Sequence, residues 1–264
     1  AVYAAVEIDE RKYFIDGCDR FTPVDITPPS ILNTNAFVLN KKTGGLTNVV
    51  DNSVYNDSVH VSAFIGKDGL VRGHTHTVSS DYAKLIRLEH FRQDEGKYAD
   101  KYFRTLPENI AISDFKTAND TVGESALRHD FNFATQVAAT GDYIMLPTNL
   151  FTTLSKNPFP ANTRFADINF GFRQHIFLTL DYAIPDGYSI DVLPKSVRLV
   201  TPDRSIDIIR TIKQEGKEKV SCSVEVRWNK SFYHVDEYPE VKAFYKKMFE
   251  LLGDQIVLKK QVNP

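Results

Sequence analysis

Cysteine is scarce in this chain: Cys18 and Cys222 are the only two in 264 residues. Two cysteines so far apart exclude the disulfide framework of a small secreted scaffold. Charge of one sign is lacking too. The 34 acidic and 32 basic side chains leave a formal net charge of -2, with no electrostatic footprint for nucleic acid or an anionic membrane. No apolar run approaches the length of a membrane span. A glycine-rich phosphate loop, an internal repeat and a low-complexity tract are all missing. No signal peptide opens the sequence, which carries no information if the chain is the C-terminal part of a longer one.

What is present is ordinary for a folded globular protein. Hydrophobic residues make up 42% and charged residues 25%. The length suffices for one large or two ordinary domains with real cores. Aromatics are plentiful, 18 Phe and 12 Tyr against 1 Trp, which suits β-sheet packing.

Strand patterns dominate the chain. Val59, Val61, Ala63 and Ile65 alternate with Ser58, His60, Ser62 and Phe64, and Gly66-Lys67-Asp68-Gly69 follows as a hairpin turn. Residues 110–115 and 127–133 read as further strands, and 142–147 as a short apolar run. The clearest period-two runs come last: Ile176, Leu178, Leu180, Tyr182 and Ile184, then Val220, Cys222, Val224, Val226 and Trp228. Ile206, Ile208 and Ile212 mark another strand, with a turn at 214–218. Helical spacing occurs in three places: from Ser80-Asp81 to Phe91, over 97–104, and from Pro239 to a stop at Gly253. In the last of these Val241, Phe244, Tyr245, Met248, Leu251 and Leu252 form an apolar stripe, and a short strand at 256–258 follows. Residues 25–43 carry breaker signals, notably Pro28-Pro29, and read as an interdomain crossing; 148–168 read as a long irregular connection.

The N-terminal segment reads as a hairpin. Ala1 to Ile8 is a strand, Asp9-Glu10-Arg11-Lys12 a tight turn, and Tyr13-Phe14-Ile15 a second strand that runs into Asp16-Gly17-Cys18-Asp19. This segment resembles the end of the papain-like core in bacterial transglutaminase-like proteins of the cysteine protease type. Asn157-Pro158-Phe159, Ile184-Pro185-Asp186-Gly187-Tyr188, Leu193-Pro194 and Tyr238-Pro239 resemble their C-terminal β domain of unknown function. The resemblance implies that Asp16 stands at the triad Asp, the carboxylate that orients a catalytic histidine. It puts the family's histidine at Ala1, so Asp16 would be vestigial here. Gly17 and Cys18 depart from the usual Ala and Thr. A periplasmic or extracellular location is also implied.

The fold expected is mainly β: a β-sandwich-like domain with a few helices over 44–264, preceded over 1–43 by a hairpin remnant of the transglutaminase-like core and a crossing linker. The function expected is a non-catalytic accessory or scaffold module of a transglutaminase-like protein. One alternative is part of a cysteine protease or acyltransferase whose Cys and His lie upstream. A second is a carbohydrate- or peptide-binding β module. The expected partners are the rest of its own chain and a protein, peptide or glycan ligand, with neither nucleic acid nor a membrane span. No cofactor is expected.

Taken without the resemblance, Asp16 reads equally as a strand-end carboxylate capping the next turn. His74 and His76 share one sheet face, and a three-residue loop with Gly69 left-handed brings His60 opposite His76. Three imidazoles could bind zinc. Arg72 on the same face opposes a cation, and a polar sheet face is the commoner outcome. Cys222 reads as a buried small hydrophobe. Cys18 lacks a helix N-terminus to activate it. His129, His175 and His234 look isolated. Phe151, Phe159 and Phe165 fit either core packing or a ligand groove.

Overall fold

A computed structural model describes residues 2–40, 43–103, 110–123 and 125–261. The chain opens with two hairpins, β1 (Ala4–Ile8) with β2 (Arg11–Ile15), and β3 (Thr34–Leu39) with β4 (Gly44–Val49). Two long strands follow, β5 (Val54–Ile65) and β6 (Leu70–Asp81), then helices α1 (Tyr82–Gln93) and α2 (Glu95–Phe103). Next come β7 (Ala111–Ala118), β8 (Leu127–Gln136), β9 (Ala139–Thr140) and β10 (Tyr143–Pro147). After an irregular stretch come β11 (Ile168–Asn169), β12 (Arg173–Ala183), β13 (Tyr188–Val192) and β14 (Val197–Val200). The chain ends with β15 (Ile206–Glu215), β16 (Lys219–Trp228), β17 (Phe232–Tyr233), α3 (Tyr238–Leu252) and β18 (Gln255–Lys260).

The architecture is mainly β and sandwich-like. One layer is an eight-stranded sheet in the order β14-β15-β16-β12-β5-β6-β8-β7. All its pairs are antiparallel except β12 with β5, which run parallel and join two antiparallel halves. The second layer is mixed. α1 packs on β5 and β6, α2 on β7 and α3 on β14, and the four-stranded sheet β13-β18-β10-β9 completes the layer. Alternation fixes which face is inside. Val59, Val61, Leu178, Leu180, Val224 and Val226 are buried, and they share one core with Ile144, Leu146, Ile256 and Leu258 of the smaller sheet.

The turn from β5 to β6 follows its sequence signal. Gly66 N–H bonds to the Leu70 carbonyl, and Gly69 takes φ +79°, a conformation glycine adopts without penalty. His60 therefore pairs with His76 and Ile65 with Val71. The first hairpin turns tightly on Asp9 and Glu10, both left-handed, and β2 begins already at Arg11.

Residues 25–43 are more than a crossing. They contain a short 3-10 turn at Pro29–Ile31 and the whole of β3. Gly44-Gly45 reads as a breaker, yet both glycines lie in β4, opposite Leu39 and Val38. Ala1, where the resemblance puts the family's histidine, lies outside the described residues, as does Arg104 at the end of the second expected helix.

Candidate functional site

Asp16 leaves β2 at the mouth of the first hairpin. Its Oδ1 accepts the Cys18 N–H at 2.9 Å, so the carboxylate caps the turn that follows the strand. Among the described residues no histidine pairs with it. Cys18 is exposed, and among the described residues no base is paired with its thiol. Cys222 is the opposite case: it lies on the inner face of β16, with burial pushing its thiol up to about 12. Neither cysteine is set up as a nucleophile by its surroundings.

His60, His74 and His76 share the outer face of the large sheet. Each ring is held by a neighbouring strand. His60 Nδ1 lies 2.8 Å from Thr179 Oγ1, His74 Nδ1 lies 3.1 Å from Asn132 Oδ1, and His76 Nδ1 lies 2.9 Å from Asp130 Oδ1. His74 Nε2 also approaches Asp130 at 3.4 Å. Partial burial and then the neighbouring His76 hold the His60 imidazole below the usual range. Burial works against ionisation of Asp130, but hydrogen bonds and charge from His76 and His74 outweigh it and lower its pKa. Among the described residues no group of three or more His, Cys, Asp or Glu is arranged to hold a metal ion. The outer face is a laced polar surface of cross-strand pairs.

The N-terminal hairpins are organised differently from the rest. Phe14 is buried and anchors the first hairpin, while Val6 and Ile8 on its other face are exposed. On the second hairpin Phe37 and Leu39 share a face, and Leu46 pairs directly with Phe37. These three are 63%, 77% and 76% exposed. Gly44 lets them lie flat, because a Cβ there would come within 3.1 Å of the Phe37 ring and of Leu39 Cδ2. The hairpins are tied to each other and to the body. Lys12 Nζ donates to Thr47 Oγ1 at 3.2 Å, Arg11 Nη2 to the Asp25 carbonyl at 2.9 Å, and Asn33 Nδ2 to the Gly171 carbonyl at 2.9 Å. The chain thus presents apolar side chains on a fixed support.

Residues 142–258 match a family model, described as Domain of Unknown Function with solved-structure structure (DUF3858). No curated protein and no solved structure matches the chain. The DUF3858 segment takes in the half-sheet from β12 to β14, α3 and most of β18. It leaves out both N-terminal hairpins and β5, the strand that pairs with β12.

Several polar groups escaped the sequence reading. Asp57 and Arg87 form a fully buried ion pair under α1. Arg87 Nη2 donates to Asp57 Oδ2 at 2.6 Å, and Ser79 Oγ donates to Asp57 Oδ1 at 2.7 Å. Burial opposes the charge on Arg87, but Asp57 outweighs it and raises the guanidinium pKa further. His129 is also inside, ringed by Phe91, Tyr98, Phe103 and Phe115. His175 is not isolated either, since its Nε2 lies 2.7 Å from Glu225 Oε1. Phe151 and Phe159 are core residues, which removes them from any ligand groove, whereas Phe165 is fully exposed. The membrane expectation has a plain counterpart: no helix among the described residues is long and apolar enough to cross a bilayer.

Proposed function

We propose that this chain is a non-catalytic accessory or scaffold module of a transglutaminase-like protein, which docks the papain-like core of its own polypeptide through the N-terminal hairpins. The observation that carries this reading is the apolar face of Phe37, Leu39 and Leu46, left in water by a fold that buries the apolar faces of its long strands. A two-stranded hairpin is marginal in isolation, and an apolar face on one is stabilised by a covering domain. The match of residues 142–258 to a domain of unknown function assigns no chemistry. The same reading places the protein in the periplasm or outside the cell.

The test is a chain extended toward its N-terminus, compared with the present one by amide hydrogen exchange. The amides of β3 and β4 are expected to gain protection in the extended chain, and Leu46→Asp is expected to remove that gain. Equal exchange in the two chains would overturn the reading. A second reading, part of a cysteine protease or acyltransferase, draws on Asp16. Its Oδ1 takes the Cys18 N–H, which leaves Oδ2 open to orient an imidazole. Thiol-probe labelling of the extended chain that collapses in Asp16→Ala would favour the enzyme over the scaffold.

A further inference from the structure

A cleft of about 530 Å³ opens on the outer face of the large sheet, at the β14 edge. It is lined by Arg198, Val200, Arg204, Asp207, Arg227 and Asn229. The register explains the gathering. Asp207 of β15 pairs with both Val200 of β14 and Arg227 of β16, and Arg198 stands one rung away opposite Ile209. Arg204 comes from the turn between β14 and β15. Three arginines and Asp207 therefore line one cleft.

The turn is built to hold Arg204 in place. Its backbone N–H donates to the Thr201 carbonyl at 2.9 Å, and its carbonyl accepts from Asn229 Nδ2 at 3.1 Å. Asp203 Oδ1 accepts the Ser205 N–H at 3.0 Å and the Ser205 hydroxyl at 2.8 Å. Arg204 itself takes φ +59°. A side chain other than glycine is strained there. A long cation thus occupies a position that glycine fills more cheaply, in a segment already pinned on both sides.

The three cations differ in what they already hold. Arg227 Nη2 donates to Glu225 Oε1 at 2.5 Å, and Arg198 Nη2 lies 3.7 Å from Asp207 Oδ2. The Arg204 guanidinium has no partner among the described residues. Nearby Lys230 is occupied by Glu237. Guanidinium groups present planar forks of donors that suit the several oxygens of a tetrahedral anion, and the three from two strands and a turn outnumber the two carboxylates, Asp207 and Glu225, that they meet. With a net charge of -2 over the whole molecule, the cluster is a local site and not part of a basic surface.

We propose that this cleft binds a tetrahedral oxyanion, a phosphate or sulfate group carried on a small molecule. The site is independent of the hairpin faces and stands whether or not they dock a partner.

The test is an NMR titration of the arginine Nε–H resonances in the full chain with inorganic phosphate, against sodium chloride at matched ionic strength. Saturable shifts of Arg198, Arg204 and Arg227 with phosphate alone are expected. Arg204→Gly removes the cation while easing the backbone, so it keeps the fold and is expected to weaken binding about tenfold. Arg227→Gln serves as the second variant. Parallel titrations with a sugar phosphate and a sugar sulfate distinguish the source: the tighter of the two names the natural group. Shifts that chloride reproduces, or that survive Arg204→Gly undiminished, would overturn the proposal.

Discussion

At the scale of single residues, His129 shows how the core decides a protonation state. Its ring sits among aromatic side chains, with Nδ1 3.2 Å from Thr117 Oγ1. Burial first, and the charge of Arg87 second, lower its pKa from 6.5 to about 3. The folded pKa therefore lies below the unfolded one. As pH falls through 6.5 toward 3, the unfolded chain takes up the proton and the folded chain does not. The contribution to stability is complete above 6.5 and is lost on acidification. Between about pH 7 and pH 5 the loss should be roughly 2 kcal/mol. Urea unfolding at the two pH values measures it, and the same comparison in His129→Phe should lack that loss. An unchanged pH dependence in the variant would show that another group is responsible. This placement was within reach of the sequence: Leu127, His129, Phe131 and Phe133 alternate, and a histidine in an apolar alternation belongs inside. The Asp57–Arg87 pair had no such signal. Asp57 alternates with Val59 and Val61 as an inward residue, but its partner lies 30 positions away on a helix.

At the scale of elements, the end of α3 depends on a side chain from a strand. The last carbonyls of a helix have no partner within it. Arg210, buried on β15, donates from Nη1 to the Leu251 carbonyl at 2.5 Å and to Asp254 Oδ2 at 2.9 Å, and from Nη2 to the Lys195 carbonyl at 2.9 Å. Its charge also suits the negative end of the helix dipole. Arg210→Met should strip the Lys195 carbonyl and Asp254 of the guanidinium and leave the Leu251 carbonyl only the Asp254 N–H, at a cost of about 1–2 kcal/mol. Hydrogen exchange should then quicken in the last turn of α3 before the sheet is affected. Uniform loss of protection across β15 and α3 would mean that Arg210 supports the fold generally instead of capping the helix. The helix itself was legible from its stripe, because Val241, Phe244, Tyr245 and Met248 recur at helical spacing and are all buried. The β5–β6 register was legible from its turn, where Gly69 fixes the loop length. β3 and β14 were not. Each is short and held by pairing that local pattern cannot express.

At the scale of the whole molecule, the parallel seam between β12 and β5 is the feature that no local signal announced. It makes one core out of two antiparallel halves, of which the DUF3858 match covers the half from β12 to β14. The seam also sets a tempo. His60 and Thr179, neighbours across it, are 119 residues apart in the chain, whereas the β5–β6 and β15–β16 hairpins within the halves close through turns of a few residues. Local hairpins can nucleate before so long a loop is closed, so the seam should be the last contact made on folding and the first lost on unfolding. Leu178→Ala, buried on β12, should therefore speed unfolding and leave the refolding rate nearly unchanged in stopped-flow chevrons. A slowed refolding limb would place the seam in the transition state. If the order is as argued, the free energy that joins the halves is held behind the folding barrier, and the lifetime of the assembled sheet is governed there and not in the turns that start it.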